Sequence, residues 1–386
     1  MKERLPALAV LLRSCGELTE AIKMDNTLTK QVANTPAAKR DAAGRFMGAH
    51  RMHKEVGKVA VMLTVLIFAF FASFLIGRYP VSPDMVLAIL CSKLTAVPQV
   101  WTDTMETVVF KIRMPRIAAA LLVGGALAVS GAAYQNLFRN PLVSPSLLGA
   151  SWGAAFGAVL GMILHLSWIW VEVAAFIFGL VAVFAAIAIS ACFGNKSMIS
   201  LVLAGIAVSA FFQALVSVLK YLADPMNTLP EISFWLMGGL SKVTDQDVLW
   251  SLIPIIIPLT VLYFMRWQIN VLSIGEEEAH TLGINVRRTR IIVLVCATLL
   301  AAAATSIGGI IQWVGLLIPH TARMLFGASF ATVLPASMLL GGTYLLIMDN
   351  LSRSIASLEI QVGILTALIG APFFVFLLAR AKKGWE

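Results

Sequence analysis

Charge is what this chain has least of. Only 13 % of its 386 residues are Asp, Glu, Lys or Arg, while 59 % are hydrophobic. A soluble globular protein carries about twice that charged fraction, so the balance points to a polytopic helical membrane protein. The apolar runs do not alternate with polar residues, which argues against a transmembrane β-barrel. Cysteine is scarce as well: Cys15, Cys91, Cys192 and Cys296 lie far apart in sequence. No pair has redox or metal-ligand spacing, and packing is the reading they support. A G-x-x-x-x-G-K-[ST] loop is missing, so the chain cannot hold ATP in the usual phosphate-loop manner. No catalytic constellation is visible, and neither a cofactor nor a metal site is expected.

The net charge is +9. Basic residues flanking membrane spans on the cytoplasmic side account for it better than a nucleic-acid partner does. Ten spans are expected, over 59–76, 117–137, 147–166, 171–193, 198–222, 248–265, 291–307, 311–326, 331–348 and 360–379. Each is an apolar run near the length needed to cross a bilayer of roughly 30 Å. An even number puts both termini on one side. With the N-terminus inside, 21 Lys/Arg fall inside and 8 outside. The third run carries Gly149, Gly153, Gly157 and Gly161, which share one helix face and permit close packing. Residues 1–58 are polar and basic in their larger part. They read as a cytoplasmic extension, or as sequence upstream of a later start at Met47 or Met52. The permease domain is expected over 59–380.

The most distinctive stretch runs from Arg113 to Gly149, RMPRIAAALLVGGALAVSGAAYQNLFRNPLVSPSLLG. An R-x-P-R opening leads into L-V-G-x-A-L-A-x-S-G-x-x-x-Q and leaves through N-P-L-x-x-P-x-x-L-G. This signature closely resembles the FecCD-type permease subunits of ATP-driven importers for iron-siderophores, haem and cobalamin. The resemblance extends from about residue 60 to the C-terminus. It implies a type II ABC importer permease fold, about ten transmembrane helices and both termini cytoplasmic, in a bacterial or archaeal cytoplasmic membrane. It further implies two ATP-binding subunits, an extracytoplasmic substrate-binding protein and a second permease copy, with a ferric siderophore, haem, cobalamin or similar chelate as cargo.

Three sets of residues carry that expectation. The acidic, helix-prone segment 272–283 sits between two spans and resembles the family's ATPase-coupling element, with Gly275, Ala279, Leu282 and Gly283 at matching positions. Small residues would let the segment lie close to its partner, Leu282 would anchor it, and Glu276, Glu277 and Glu278 would meet basic groups. Asn140, Pro141, Leu142 and Val143 break the chain after the second span. Leu142 or Val143 is expected near the axis of a symmetric dimer, narrowing its cytoplasmic end as a gate. Arg113, Arg116 and Arg353 fall on the outer face, against the positive-inside bias. Relatives use arginines at equivalent positions to receive acidic residues of the binding protein.

Other polar residues weigh less. His320, in GLLIPHTAR, reads as a packing residue rather than a ligand. The run Gly309–Arg323 resembles a second family signature, with Trp313 where Phe is usual. Glu172 and Asp349 lie near predicted membrane edges without an obvious partner. An autonomous ion-coupled secondary transporter is the alternative reading, and the scarcity of acids at depth weakens it.

Overall fold

The computed structural model describes residues 36–93, 98–192, 198–356 and 358–382, with side chains described between 56 and 376. The chain divides into two compact units, residues 1–61 and 62–386. The expected extension falls largely in the first, and residues 1–35 lie outside the described residues. In the first unit the described chain is helical from Pro36 onward.

All regular structure among the described residues is helical. In chain order the helices are α1 (Pro36–Leu75), α2 (Pro83–Ser92), α3 (Asp103–Thr107) and, after a π-helical turn over Val108–Arg113, α4 (Met114–Leu137). A 3-10 turn, Pro145–Leu148, introduces α5 (Ala150–Ile163), α6 (Trp168–Cys192) and α7 (Met198–Leu222). Next come α8 (Thr228–Leu236), α9 (Asp245–Phe264), α10 (Arg266–Ile274), α11 (Glu276–Thr281) and α12 (Val286–Gly308). The chain closes with α13 (Val314–Phe326), α14 (Phe330–Ser354) and α15 (Val362–Lys382).

Each of the ten expected spans has a helix. Among the described residues seven helices are long and apolar enough to cross a membrane, including α4, α6, α7, α9, α12 and α14. The expected third, eighth and tenth spans correspond to α5, α13 and α15, whose apolar parts are shorter. Turn residues explain two of these. Gly149 adopts φ 88°, a left-handed conformation suited to glycine, and delays the start of α5. Gly309 at φ 67° and Trp313 at φ 72° hold the chain out of helix between α12 and α13. The helix α2 was not anticipated; Pro83 at its first position stands where a proline costs no hydrogen bond.

α4 lies at the centre of the second unit. It packs against α12, α13 and α14, and 83 % of its most apolar stretch is buried, against 28 % for α7 and α9. The peripheral helices therefore present apolar surface outward, as a lipid-exposed bundle requires. Polar side chains stitch the centre together. Ser130 Oγ donates to the Ala297 carbonyl at 2.6 Å, and Tyr134 Oη meets Thr298 Oγ1 at 2.7 Å. Gln135 Nε2 donates to the Leu316 carbonyl at 3.2 Å.

The glycine face of α5 packs on α6. A Cβ on Gly153 would stand 2.4 Å from the Phe178 carbonyl oxygen, and one on Gly157 would stand 2.2 Å from that of Ala174. Gly157→Val is therefore expected to force α5 and α6 apart, with the destabilisation of about 1–3 kcal/mol typical of overpacking or more. A lower thermal midpoint of the detergent-solubilised protein would show it; an unchanged midpoint would mean that this seam is not a close contact.

Candidate functional site

Segment 272–283 forms α11 and its flanks. Gly275, in extended backbone, precedes the helix, and Gly283 at φ 76° ends it. The Gly283 N–H bonds back to the His280 carbonyl at 2.9 Å, and the Ile284 N–H to that of Ala279 at 2.9 Å. The helix thus has two faces. Ala279 is 0 % exposed and packs inward, whereas Leu282 is 56 % and Ile274 69 % exposed. Glu277 and Glu278 face outward between these two apolar side chains. Glu276 is ion-paired with Arg290 of α12. The expectation that Ala279 would meet a partner is corrected: its methyl fills the space between α11 and its own chain. Ile274, which sequence reasoning passed over, shares the outward role with Leu282.

The break after α4 is a short turn. Arg139 takes φ 48°, and the Asn140 side chain accepts from the Leu142 N–H at 2.9 Å. Asn140, Pro141 and Leu142 are exposed, while Val143 is buried. Of the two gate candidates only Leu142 presents its side chain at the chain's surface. Arg139 Nε donates to the Leu272 carbonyl at 3.3 Å. One hydrogen bond thus joins the turn to the end of α10, directly ahead of α11. Arg323 of α13 bonds the Gln135 side chain on the last turns of α4.

At the other end of α4 the three arginines converge, but not as solvated charge. All are more than nine-tenths buried. Arg116 Nε lies 2.8 Å from Asp349 Oδ1, and its Nη1 lies 2.9 Å from Glu359 Oε2. Arg353 Nε stands 3.2 Å from Asp349 Oδ2, an ion pair off hydrogen-bond alignment. Arg353 Nη1 donates to the Ile76 carbonyl at 2.9 Å, and Arg113 donates to the carbonyls of Phe74 and Tyr79. These carbonyls close α1 and the turn after it, where helix geometry leaves acceptors unsatisfied and a positive charge is favoured. The expectation of free surface arginines is therefore corrected, and so is that of an unpartnered Asp349. The guanidiniums are held by two carboxylates and by the end of α1. His320 lies partly buried on α13, and no group of three His, Cys, Asp or Glu among the described residues could hold a metal ion.

A bundle of apolar helices long enough to cross a membrane, with a short acidic helix on one connection and a proline break beside it, is the architecture of a membrane-embedded subunit. The chain belongs to the FecCD transport family, whose model matches residues 65–380. It is a permease subunit of an ABC importer for metal chelates or related substrates. It is 39 % identical over 309 residues to the molybdate import system permease protein MolB of Haemophilus influenzae, covering 80 % of this chain and 91 % of that one. To the hemin transport system permease protein HmuU of Yersinia pestis it is 37 % identical over 288 residues, covering 73 % and 86 %. It also superposes on a solved metal-chelate type ABC transporter in an inward-facing conformation, with TM-score 0.74, 37 % identity and coverage of 84 % and 99 %.

Removing one partner from a buried ion pair costs about 3–5 kcal/mol, because the other charge stays buried and uncompensated. Asp349→Ala, which removes the buried carboxylate shared by Arg116 and Arg353, should fall in that range. Glu359→Gln, at a carboxylate more than a quarter exposed, should cost less than about 1 kcal/mol. Chemical denaturation of the two variants should rank them in that order. Equal losses would show that the burial of Asp349 carries no special weight.

Proposed function

We propose that this chain forms the transmembrane path of an importer in which two copies face each other, two ATP-binding subunits engage the cytoplasmic side, and an extracytoplasmic binding protein delivers the cargo. The cargo is a ferric siderophore, haem, cobalamin or similar metal chelate. Both termini lie in the cytoplasm, and the membrane is the cytoplasmic membrane of the cell. The chain moves cargo and hydrolyses nothing itself. The relatives include permeases named for molybdate, hemin and cobalamin import, so this shared frame serves chemically different cargoes.

The observation that carries the reading is the outward face of α11. Ile274 and Leu282 expose apolar side chains on either side of two carboxylates, on a six-residue helix tied down by Ala279 and Arg290. Such a face loses area to water unless a partner covers it, and the acids give the partner's basic residues an orienting field. Gly275, Gly283 and the buried Ala279 shape this element, and Glu276, Glu277, Glu278 and Leu282 contact the ATPase or steer it. Asn140, Pro141 and Leu142 narrow the inner end of the path between two copies, with Val143 packed behind them. Arg113, Arg116 and Arg353 act one step back from the binding protein, by fixing the outer ends of α1, α4 and α14.

Leu282→Arg tests the reading directly, since the side chain is exposed and the substitution leaves the core untouched. The variant should reach the membrane at normal levels. Its complex should show a loss of about tenfold or more in binding-protein-stimulated ATP hydrolysis, the scale of one buried interface anchor. Full stimulation with normal transport would remove α11 as the coupling element.

A further inference from the structure

Away from these sites, a cavity of about 430 Å³ opens between α6, α9 and α12. Its wall is mainly apolar and aromatic, with Trp170, Phe176 and Trp250 among its lining, yet it contains two carboxylates, Glu172 and Asp247. Both are more than nine-tenths buried, at 7 % and 4 % exposure. Glu172 Oε1 is enclosed and has no hydrogen-bond partner. Asp247 uses Oδ2 to cap α9, accepting from the Thr244 N–H at 2.8 Å and Thr244 Oγ1 at 2.9 Å; its Oδ1 takes no part in that cap. No basic residue lines the cavity. Lys242, beside the neighbouring Trp168 ring, is paired with Glu231 at 2.5 Å.

We propose that this cavity binds a primary ammonium group, carried by a lipid headgroup or by a small amine. Two buried acids without a counter-charge are costly to ionise, and a bound cation would offset that cost. A metal ion is a poor fit. No third Asp, Glu, His or Cys joins the pair among the described residues, and hard divalent cations need about six oxygen ligands. Aromatic walls suit organic cations, which are attracted to the faces of Trp and Phe rings. A primary ammonium has three N–H donors. Asp247 Oδ1 and the Ser306 hydroxyl can each accept one, because Ser306 Oγ spends its own proton on the Ala303 carbonyl at 2.9 Å, and Glu172 supplies the second carboxylate of the lining. A quaternary ammonium would leave those acceptors unfilled.

The mouth says where such a group could come from. Trp170 and Trp250 are largely exposed, next to exposed Leu249 and Ile253. The opening thus lies on the apolar outer surface, with tryptophans of the kind that sit at headgroup level. An amine headgroup reaches it from the bilayer, whereas a soluble amine would have to enter from water.

Purified full-length protein in detergent would be titrated with phosphatidylethanolamine, phosphatidylglycerol, ethanolamine, choline and magnesium chloride. Thermal midpoint and lipid retention in native mass spectrometry would be read for the wild type and Glu172→Gln. Phosphatidylethanolamine should raise the midpoint and bind at least tenfold more tightly than phosphatidylglycerol. Glu172→Gln should abolish that preference. A rise with ethanolamine that matches the lipid's would identify a soluble amine as the source. The proposal is overturned if the two lipids bind alike and ethanolamine has no effect, if the amine preference survives Glu172→Gln, or if magnesium alone stabilises the protein. Should the variant fail to fold, the wild type still decides, because choline acting as well as ethanolamine, or neither phosphatidylethanolamine nor ethanolamine acting, overturns the assignment.

Discussion

Backbone touching backbone around α4 is the constraint on which the rest of the fold depends. A Cβ on Gly131 would lie 1.7 Å from the Gly315 carbonyl oxygen of α13, and one on Gly124 would lie 2.2 Å from that of Gly341 on α14. In a bilayer, apolar side chains gain little by leaving lipid for protein. Helices associate instead through close packing of small residues and through buried polar contacts. α4 supplies both, with its glycines on two sides and Ser130, Tyr134 and Gln135 reaching neighbouring helices. Once α4 is held at this distance, the positions of both its ends follow. One end carries Arg116, and the other leads into Arg139 and the Asn140 turn.

The buried ion cluster follows from the same geometry. The Gly124–Gly341 contact sets α14 alongside α4, so that Asp349 and Arg353, about two and about three turns further along α14, arrive beside Arg116. Three guanidiniums facing two carboxylates leave a surplus of positive charge, which is placed where α1 ends and carbonyl oxygens point. Burying ions is costly in itself. The cluster therefore acts as a register device more than as a store of stability: it joins residues more than 230 positions apart and fits in one helix arrangement.

Much of this was legible in the sequence, and the missing parts share a cause. Apolar runs located the ten helices because length and composition are local properties. The glycine face of α5 was legible because a spacing of four is a helical period. What the sequence could not convey was which side of an element faces inward. Ala279 belonged to the right segment but to its hidden face, and Ile274 stood at a position the family pattern did not mark. The arginines were grouped at one end of the bundle and taken for solvated charge, since nothing local announces that Asp349 comes to meet them. The pairing of Glu172 and Asp247 in one cavity was equally hidden, as α6 and α9 are separated by two further helices in the chain.

The two ends of α4 differ in how they can respond to force. At the arginine end, ion pairs and carbonyl contacts hold three helices together, so a push there meets a stiff joint. At the opposite end, Arg139, at the head of the turn over Asn140–Val143, meets the α10–α11 segment through a hydrogen bond to the Leu272 carbonyl. Arg139 holds a left-handed backbone conformation that few side-chain-bearing residues adopt, which directs the chain sharply out of α4. A displacement of α11 by a bound partner would reach Leu272 along one short helix boundary and pass to the turn through that bond. The softer joint thus lies beside the segment proposed to meet the ATP-binding subunit, and the stiffer one where the cluster keeps its register.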